Sequence, residues 1–265
     1  MDPVFFSIGN LTIRWYGFMA ALGFLAACGI MQWNRRYAKL SGDQVTNIVM
    51  LAMISGILGA RIFYVAQNWS FYRNHLNAII RIDQGGLVFY GGFILATLTL
   101  IVYLRRIKCA DYIRVLDIVA PALAAAHALG RVGCFLNGCC YGKPAQICWA
   151  VVYDAGSEPF RRYGSQPLHP VQIYEALLNI ILAIGLFFLV RKAKRGLAMS
   201  VYILAYGILR FVDEFFRGDH SDFVSGFTPA QVIGFAMIPL GIFLSVKFLR
   251  QTSRNLPEGT SGNEA

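Results

Sequence analysis

The sequence predicts an all-α polytopic membrane protein with about seven transmembrane helices and a small extracytoplasmic segment. Hydrophobic residues make up 57% of the 265 residues and charged residues only 14%, whereas soluble domains contain about 25% charged residues. Apolar stretches of about 20 residues, the length that a helix needs to cross a bilayer, recur along the chain. Basic residues flank these stretches. We therefore expect a single integral membrane domain over residues 1–265.

Seven apolar segments are long enough to serve as transmembrane helices. Trp15 and Trp33 bracket the first segment, as aromatic side chains do at membrane interfaces. Pro229 follows Thr228 at the start of the last segment, and proline behind a capping hydroxyl is typical of the first helical position. The predicted spans are residues 14–33, 46–66, 87–104, 115–134, 172–190, 197–216 and 228–246.

Two of the segments outside the spans are long enough to fold beyond the bilayer, and they are residues 67–86 and 138–171. Within the second we expect a short strand at Trp149–Tyr153 and then a turn at Asp154–Pro159. The N-terminal MDPVFFSIGNLTI has neither a basic n-region nor an A-x-A site, which indicates a lead-in to the first span rather than a removable signal peptide. Residues 254–265 are predicted to be a disordered tail.

Basic residues predict the orientation of the chain in the membrane. Short loops rich in lysine and arginine remain on the cytoplasmic side, so the N-terminus and both long loops are expected outside and the C-terminus in the cytoplasm. The net charge of +10 fits anionic lipid headgroups, and no basic stripe with interleaved aromatic residues indicates nucleic acid. The clustered cations are Arg35, Arg36, Lys39, Arg105, Arg106, Lys108, Arg114, Arg191, Lys192, Lys194, Arg195, Lys247, Arg250 and Arg254.

Several charged residues lie inside the predicted spans. Span four reaches 20 residues only if it includes Arg131, and span six only if it includes Arg210, Asp213 and Glu214. A charge at the bilayer centre costs about 2.5–3.5 kcal/mol, so such residues normally line a cavity and have partners. His127 lies four residues before Arg131 and therefore on the same helix face.

Span six carries a second polar stripe, which consists of Tyr206, Arg210, Glu214 and Arg217. One interpretation is an interfacial ion-pair cluster whose long side chains reach the membrane surface. The interpretation that we favour places Arg131 and Arg210 face to face across an outer-leaflet cavity. Two guanidinium groups present paired donors that match the geometry of a phosphate. In a membrane, the abundant phosphate is that of a lipid headgroup.

Other polar residues have both a structural and a functional interpretation. Tyr90 in FYGGF is either an interfacial aromatic residue or part of a site beside glycines that allow close backbone approach. Tyr16 is typical of an aromatic belt. Asn137 and Gly138 indicate a turn after span four, and Asn137 is also able to donate to a phosphate. Glu175 near the start of span five favours the positive end of that helix.

Four of the six cysteines cluster on the predicted outer side, and they are Cys134, Cys139, Cys140 and Cys148. An oxidising compartment permits disulfides. Adjacent cysteines rarely bridge each other, so pairing with Cys134 or Cys148 is the favoured bridge. A zinc site is an alternative, although the usual C-x2-C spacing is absent. The third interpretation is that these are buried small residues at a tight turn. No nucleotide or metal-binding motif occurs, so we expect no cofactor and no metal.

Five stretches together resemble the bacterial phosphatidylglycerol–prolipoprotein diacylglyceryl transferases over almost the whole chain. They are, in order, IRWYGFMAALGF, GGLVFYGGF, HALGRVGCFLNGCCYG, HPVQIYE and YGILRFVDEFFR. The resemblance implies an enzyme of the bacterial inner membrane that acts without a cofactor. Its substrates are implied to be phosphatidylglycerol and the lipobox cysteine in the signal peptide of a preprolipoprotein. The implied products are a thioether and glycerol-1-phosphate.

The resemblance also assigns residues to the site. The family's two phosphate-binding arginines correspond to Arg131 and Arg210, which are expected to stabilise the charge of the leaving phosphate. Its other motif residues correspond to Tyr16, Asn137, Gly142, Tyr206 and Glu214.

Three positions depart from better-known family members. A histidine, an asparagine and a glutamate of the family are replaced by Tyr90, Cys134 and Cys139. We expect Tyr90 to position the thiol or the headgroup by a hydrogen bond, Glu214 to orient Arg210, and His127 to be an alternative base. The rival function is a non-enzymatic transporter or binder of anionic phospholipid, although no internal repeat supports a transporter.

Overall fold

The structure is a computed structural model that describes residues 4–8, 11–81, 85–219 and 227–253, and most of these residues are helical. A two-stranded antiparallel hairpin precedes the first helix. The elements are β1 (Val4–Ile8), β2 (Leu11–Arg14), α1 (Trp15–Asn34), α2 (Gly42–Gln67), α3 (Trp69–Tyr72), α4 (Phe89–Arg106), α5 (Tyr112–Asn137), α6 (Glu158–Tyr163), α7 (Val171–Lys192), α8 (Leu197–Asp213) and α9 (Pro229–Ser253).

Six helices are long and apolar enough to cross a membrane, which confirms the prediction of a polytopic, all-α membrane protein. They are α1, α2, α4, α5, α7 and α9. The seventh long helix, α8, has 17 residues and packs along α9. Each predicted span coincides with one of these seven helices. Helix α8 ends at Asp213, three residues earlier than predicted, and Glu214 begins a turn.

Helix α5 lies at the centre of the packing, with α1 and α7 against it and α8 in further contact. Helices α2 and α4 form one pair, and α8 and α9 form another. Apolar side chains of α1, α2, α5 and α7 form the main buried core near the ends that carry the basic clusters, which we call the basic end. The opposite end, which carries the β hairpin and residues 138–171, is called the site end.

Glycines bring α2 and α4 into backbone contact. A Cβ on Gly92 would lie 2.6 Å from the carbonyl oxygen of Gly56, and one on Gly91 would lie 2.6 Å from the carbonyl oxygen of Gly59. Helix association in lipid relies on such small residues because no hydrophobic effect drives it there. This confirms the expectation that the glycines of FYGGF allow close backbone approach.

A buried carboxylate fixes the start of α8 at the basic end. Asp117 is completely buried on α5 and accepts hydrogen bonds from the backbone nitrogens of Gly196 at 2.7 Å and Met199 at 3.2 Å. The first turn of a helix has unpaired N–H groups and a positive dipole end, and both favour an anion. Asp117 therefore ties α5 to α8, and the sequence analysis did not identify this role.

Asp111 caps α5 itself at the same end. It accepts from the Arg114 backbone nitrogen at 3.1 Å and pairs with Arg195 at 2.9 Å. Burial raises the pKa of the Asp111 carboxyl, but the hydrogen bonds from Arg114 and Arg195 outweigh burial and hold that pKa below its ordinary value. The carboxylate thus remains charged and keeps the cap in place.

The first long loop at the site end is organised by Arg61, a buried residue of α2. Its guanidinium donates to backbone carbonyls between residues 78 and 86 at distances of 2.7–3.1 Å. The carbonyls belong to Ala78, Ile79, Arg81, Gly85 and Gly86. The Arg61 guanidinium thus provides hydrogen-bond donors for five backbone carbonyls of this loop.

The second long loop differs from the sequence expectation. The strand predicted at Trp149–Tyr153 is wrong, because only Val151 forms a bridge, to Leu168, and Leu168 also pairs with Pro144. Apolar side chains of Tyr141, Tyr153 and Leu168 gather into a small core instead. The predicted turn runs into helix α6, for which Ser157 is the N-cap. The predicted disordered tail, residues 254–265, lies outside the described residues.

Substitution of Gly91 by valine tests the contact between α2 and α4. The added side chain would meet Phe63 and the Gly59 carbonyl, so we expect a loss of about 1–3 kcal/mol of stability, the usual effect of overpacking. Thermal unfolding of the purified protein in detergent measures the loss. Gly29→Val in α1 is the control, because a Cβ on Gly29 meets nothing within 4 Å. Equal unfolding temperatures for the two variants would contradict the assigned contact.

Candidate functional site

A buried ion pair joins α5 to α7 near the site end. Arg131 Nε lies 2.8 Å from Oε2 of Glu175, and His127 Nε2 lies 2.7 Å from Oε1 of the same carboxylate. The side chain of Glu175 is 3% exposed and that of Arg131 is 12% exposed. A spacing of one helical turn places His127 and Arg131 side by side, and the two nitrogens are 3.2 Å apart. Glu175 therefore balances the charge of Arg131 within the helices.

Helix α8 contributes the second arginine to the same polar cluster. Arg210 pairs with Asp213 at 3.3 Å and with Glu214 at 3.1 Å. The carboxyl of Asp213 lies within electrostatic reach of that of Glu175. Three helices, α5, α7 and α8, thus converge on one cluster of ions, and both predicted arginines belong to it.

Tyr206 lies beside this cluster, one turn before Arg210 on α8. Its ring packs edge-on against His127 with centroids 5.3 Å apart and stacks on Tyr202 on the other side. Arg131, Arg210 and Glu175 all lie within electrostatic reach of its hydroxyl. Tyr206 therefore interacts with both arginines, which fits a role at a shared site.

The two guanidiniums differ in how much of their hydrogen-bonding capacity is used. Both contacts of Arg131 are made through Nε, and no described residue accepts a hydrogen bond from its two terminal nitrogens. Arg210 uses both terminal nitrogens for carboxylates. A guanidinium has five N–H donors in a fixed fork. Arg131 thus retains a pair of parallel donors for an anionic ligand.

Asn137, the last residue of α5, has a buried Oδ1 without a hydrogen-bond partner among the described residues. Tyr16 lies at the start of α1, and its Cα is 3.3 Å from the position of a Cβ on Gly133. The hydroxyl of Tyr16 is within electrostatic reach of Arg131. Tyr16 therefore lies beside the polar cluster, and Asn137 lies further along α5, at its end.

Gly142 has a packing reason to be glycine, since a Cβ there would lie 2.5 Å from the carbonyl oxygen of His169. It joins the loop to α8 by a bridge to Arg217. Arg217 in turn makes a bidentate pair with Asp219 at 2.9 and 2.6 Å. The structure thus gives Gly142 a role in holding the loop against the end of α8.

No hydrogen bond, ion pair or ring contact among the described residues joins Tyr90 to Arg131 or Arg210. Its side chain is 54% exposed at the start of α4, and its recorded ring contact is with Phe89. Helix α4 packs mainly on α2. The catalytic role assigned to Tyr90 stays a prediction.

Three cysteines converge at the end of α5, directly beside the polar cluster. The sulfur atoms of Cys134, Cys139 and Cys140 all lie within 4.8 Å of one another. All six cysteines of the chain are free thiols, and Cys148 is exposed. The described residues thus group three of the four predicted cysteines and leave Cys148 outside.

The turn that gathers the thiols is held from several sides. Gly138 ends α5 in the left-handed conformation, and Cys140 has a φ of 60°, which costs about 1–2 kcal/mol for a residue with a Cβ. Buried Gln172 donates to the carbonyl of Cys139 at 2.8 Å and contacts the Tyr153 hydroxyl. Burial raises the pKa of Tyr153 to about 12, so it remains protonated.

Sequence reasoning missed the counterion function of Glu175, which it assigned to a helix end. Its position in the sequence could have indicated this function. Glu175 is the fifth residue of an apolar span, where an unpaired charge is costly and a cationic partner is expected. The sequence also did not place Asp213 near Glu175, since the two residues lie on helices whose facing sides depend on the assembled bundle.

Comparisons with known proteins identify similar chains over nearly the whole length. Residues 3–247 match the family described as prolipoprotein diacylglyceryl transferase. A phosphatidylglycerol–prolipoprotein diacylglyceryl transferase of Clostridium tetani is 36% identical over 92% of this chain and 96% of its own. Proteins of the same name from Finegoldia magna and Geobacter sulfurreducens are 33% and 34% identical, each over 95% of this chain, and over 97% and 96% of their own lengths.

Replacement of Glu175 by alanine tests the central ion pair. Removing one partner leaves Arg131 as an uncompensated buried charge, so we expect a loss of about 3–5 kcal/mol of stability. Unfolding of the purified protein in detergent measures it. Glu158→Ala, at an exposed position of the same end, is the control and should change stability little. The assignment fails if both variants unfold together.

Proposed function

The chain belongs to the prolipoprotein diacylglyceryl transferase family, and from that premise we propose that it moves the diacylglyceryl group of phosphatidylglycerol onto the lipobox cysteine of preprolipoproteins. The thiol sulfur forms a bond to the glycerol carbon that carries the phosphate. The carbon–oxygen bond to the phosphate breaks, and glycerol-1-phosphate leaves. This reaction is the first step of lipoprotein maturation and needs no energy source besides the lipid.

The observation that supports this proposal most strongly is the shared cluster of Arg131 and Arg210. The terminal nitrogens of Arg131 are available as a parallel pair, and such a pair matches two phosphate oxygens. Arg210 adds a second positive charge from the facing helix. Negative charge grows on the leaving phosphate in the transition state, and fixed donors contribute most where charge develops.

The carboxylates of the cluster act on the arginines rather than on the lipid. Glu175 holds Arg131 and His127, and Asp213 and Glu214 hold Arg210. An arginine fixed by such partners does not have to reorganise when charge develops. In this proposal Glu214 orients Arg210, as the sequence predicts, and Glu175 has the matching function for Arg131.

The remaining predicted residues receive roles around the headgroup. Tyr206 is assigned to contact the headgroup beside the arginines, Tyr16 and Asn137 to face it from the site end, and Gly142 to support the loop above it. Tyr90 is assigned to position the thiol or the headgroup at the membrane surface. His127 stays the alternative base, although its ring nitrogen faces Glu175.

The site end is proposed to face the outside of the bacterial inner membrane. The clustered cations of the described residues all belong to the basic end, and short basic loops stay in the cytoplasm. Phosphatidylglycerol and the signal peptide then reach the cluster sideways from the bilayer. Family membership favours this transferase over a non-enzymatic transporter of anionic lipid.

Conservative replacement of either arginine tests the phosphate site. We expect Arg131→Lys and Arg210→Lys each to reduce the rate of thioether formation by about 10²–10³-fold, because a lysine presents one point charge in place of a fork. The assay uses purified protein, phosphatidylglycerol and a peptide with a lipobox cysteine. Arg195→Lys, an exposed residue of the basic end, is the control. Full turnover in both cluster variants would refute the assignment.

Labelling of a surface thiol tests the orientation. Cys148 is exposed in the loop at the site end, so a membrane-impermeant maleimide should modify it in intact spheroplasts. The signal should disappear in Cys148→Ser. Labelling of Cys148 only after permeabilisation would place the site end in the cytoplasm and overturn the orientation.

A further inference from the structure

We propose that Cys134, Cys139 and Cys140 form a zinc site whose fourth coordination position receives the thiol of the incoming peptide. The proposal rests on the transferase function proposed above and supplies the activation of the nucleophile. The three sulfur atoms come from the last turn of α5 and the tight turn that follows it, and they converge within 4.8 Å. The three zinc ligands are distinct from the residues assigned to the arginine cluster.

The geometry is close to that of a three-thiolate metal site. Tetrahedral zinc with bonds of about 2.3 Å to sulfur places its ligands about 3.8 Å apart. The observed limit of 4.8 Å needs a contraction of no more than about 1 Å, which side-chain rotation achieves. Cys139 is already directed inward by contacts with the Cys134 carbonyl at 3.6 Å and with Asn137 Nδ2 at 3.7 Å.

The backbone conformation of the cysteine turn is also consistent with a ligand site. Cys140 occupies the left-handed region at a φ of 60°, where glycine or asparagine is the usual residue. Its sulfur joins the other two from that conformation. Gln172, which is 1% exposed, fixes the carbonyl of Cys139 and therefore the turn itself. Positions held in sparsely populated conformations concentrate at ligand sites.

The surroundings compensate the charge of such a site. Three thiolates and Zn²⁺ together carry one negative charge, and both Arg131 and Arg217 lie within electrostatic reach of the Cys140 sulfur. Soft thiolate ligands select zinc over magnesium or calcium. Because zinc has no redox chemistry, coordination also keeps three adjacent thiols reduced in an oxidising compartment.

Three protein ligands and one open position are typical of catalytic zinc sites. A thiol that coordinates zinc loses its proton outright, and this proton passes to water. The zinc-bound thiolate then attacks the glycerol carbon, the carbon–oxygen bond to phosphate breaks, and the arginines receive the leaving group. The resulting thioether is uncharged and a weaker ligand than the thiolate, so the product dissociates from zinc.

This assignment explains why no conventional base is well placed. Tyr90 is exposed on α4, and its ring contact among the described residues is with Phe89. His127 is directed at Glu175. Cys134 lies one helical turn beyond Arg131 on α5, and the sulfur atoms of Cys139 and Cys140 converge on it, so a thiolate held there would be adjacent to the phosphate that it displaces.

The first measurement is the metal content of the purified wild-type protein. We expect about one zinc per chain in the wild type and in the control Cys148→Ser, and a loss of most of the zinc in Cys134→Ser, since three thiolates are needed to hold the ion. Circular dichroism of Cys134→Ser verifies that the helices are retained. A Cys134 disulfide in the intact mass of the active enzyme, or a wild type that neither contains nor binds zinc, would overturn the proposal.

The second measurement replaces zinc by Co²⁺, whose absorption spectrum reports its ligands. A lipobox peptide with cysteine should change the spectrum, and the same peptide with serine should not. Zinc-depleted protein should form thioether about 100-fold more slowly, with recovery on addition of zinc. A metal-free protein with the wild-type rate overturns the zinc step but leaves the transferase function intact. A zinc-loaded protein that responds to the peptide but forms no thioether refutes the transferase function instead.

Discussion

Compensation of charge inside an apolar bundle is the constraint on which the rest of this structure depends. Arg131 and Arg210 lie on helices that face one another near lipid, where an unpaired charge is costly. Glu175 from α7 pairs with Arg131 and lies within electrostatic reach of Asp213 and Arg210 of α8. These interactions therefore restrict the relative depth of α5, α7 and α8 in the membrane and the rotation of each helix about its own axis. Truncation of any of them displaces the partners of both arginines, so stability and the site share the same contacts.

The two ends of the bundle are stabilised by different kinds of interaction. The basic end contains the main apolar core and the caps made by Asp111 and Asp117, which set the helix positions. Among the described residues, the site end has only the small core around Tyr141, and its loops are held by polar contacts such as those of Arg61. The proposed binding residues thus lie at the more polar end, while the main apolar core stabilises the helices at the far end. The exposed apolar faces of α4 and α9 leave lipid in direct contact with the flanks.

The sequence predicted the helices well because span length and hydrophobicity are local properties. All seven spans correspond to helices, and Arg131 and Arg210 were singled out by the cost of charge in a membrane. Local sequence patterns do not show which residue on another helix each charged side chain pairs with. Glu175 pairs with Arg131 across 44 positions of sequence, and Asp117 caps a helix that begins 80 positions later.

The errors in the second long loop have the same origin. The strand expected around Val151 requires a partner strand, and the chain offers only Leu168, which is shared with Pro144. Alternation of residue types gives no information on whether such a partner exists. The hairpin of β1 and β2 was likewise not predicted, since its pairing depends on how residues 4–14 fold back on themselves.

The juxtaposition of arginines and cysteines follows from the chemistry of the proposed reaction. A thiolate nucleophile and a phosphate leaving group are both anions, and their repulsion is strong where the dielectric constant is low. In the proposed site the arginines compensate the charge of the phosphate, and the metal ion compensates the charge of the thiolate sulfur. Cys134 lies three residues after Arg131 on α5, so a single helical turn sets the separation of nucleophile and leaving group. An enzyme with a neutral base in place of the metal would have to form the thiolate and desolvate it in the same step, whereas a coordinated thiolate enters the low-dielectric site with its charge already compensated.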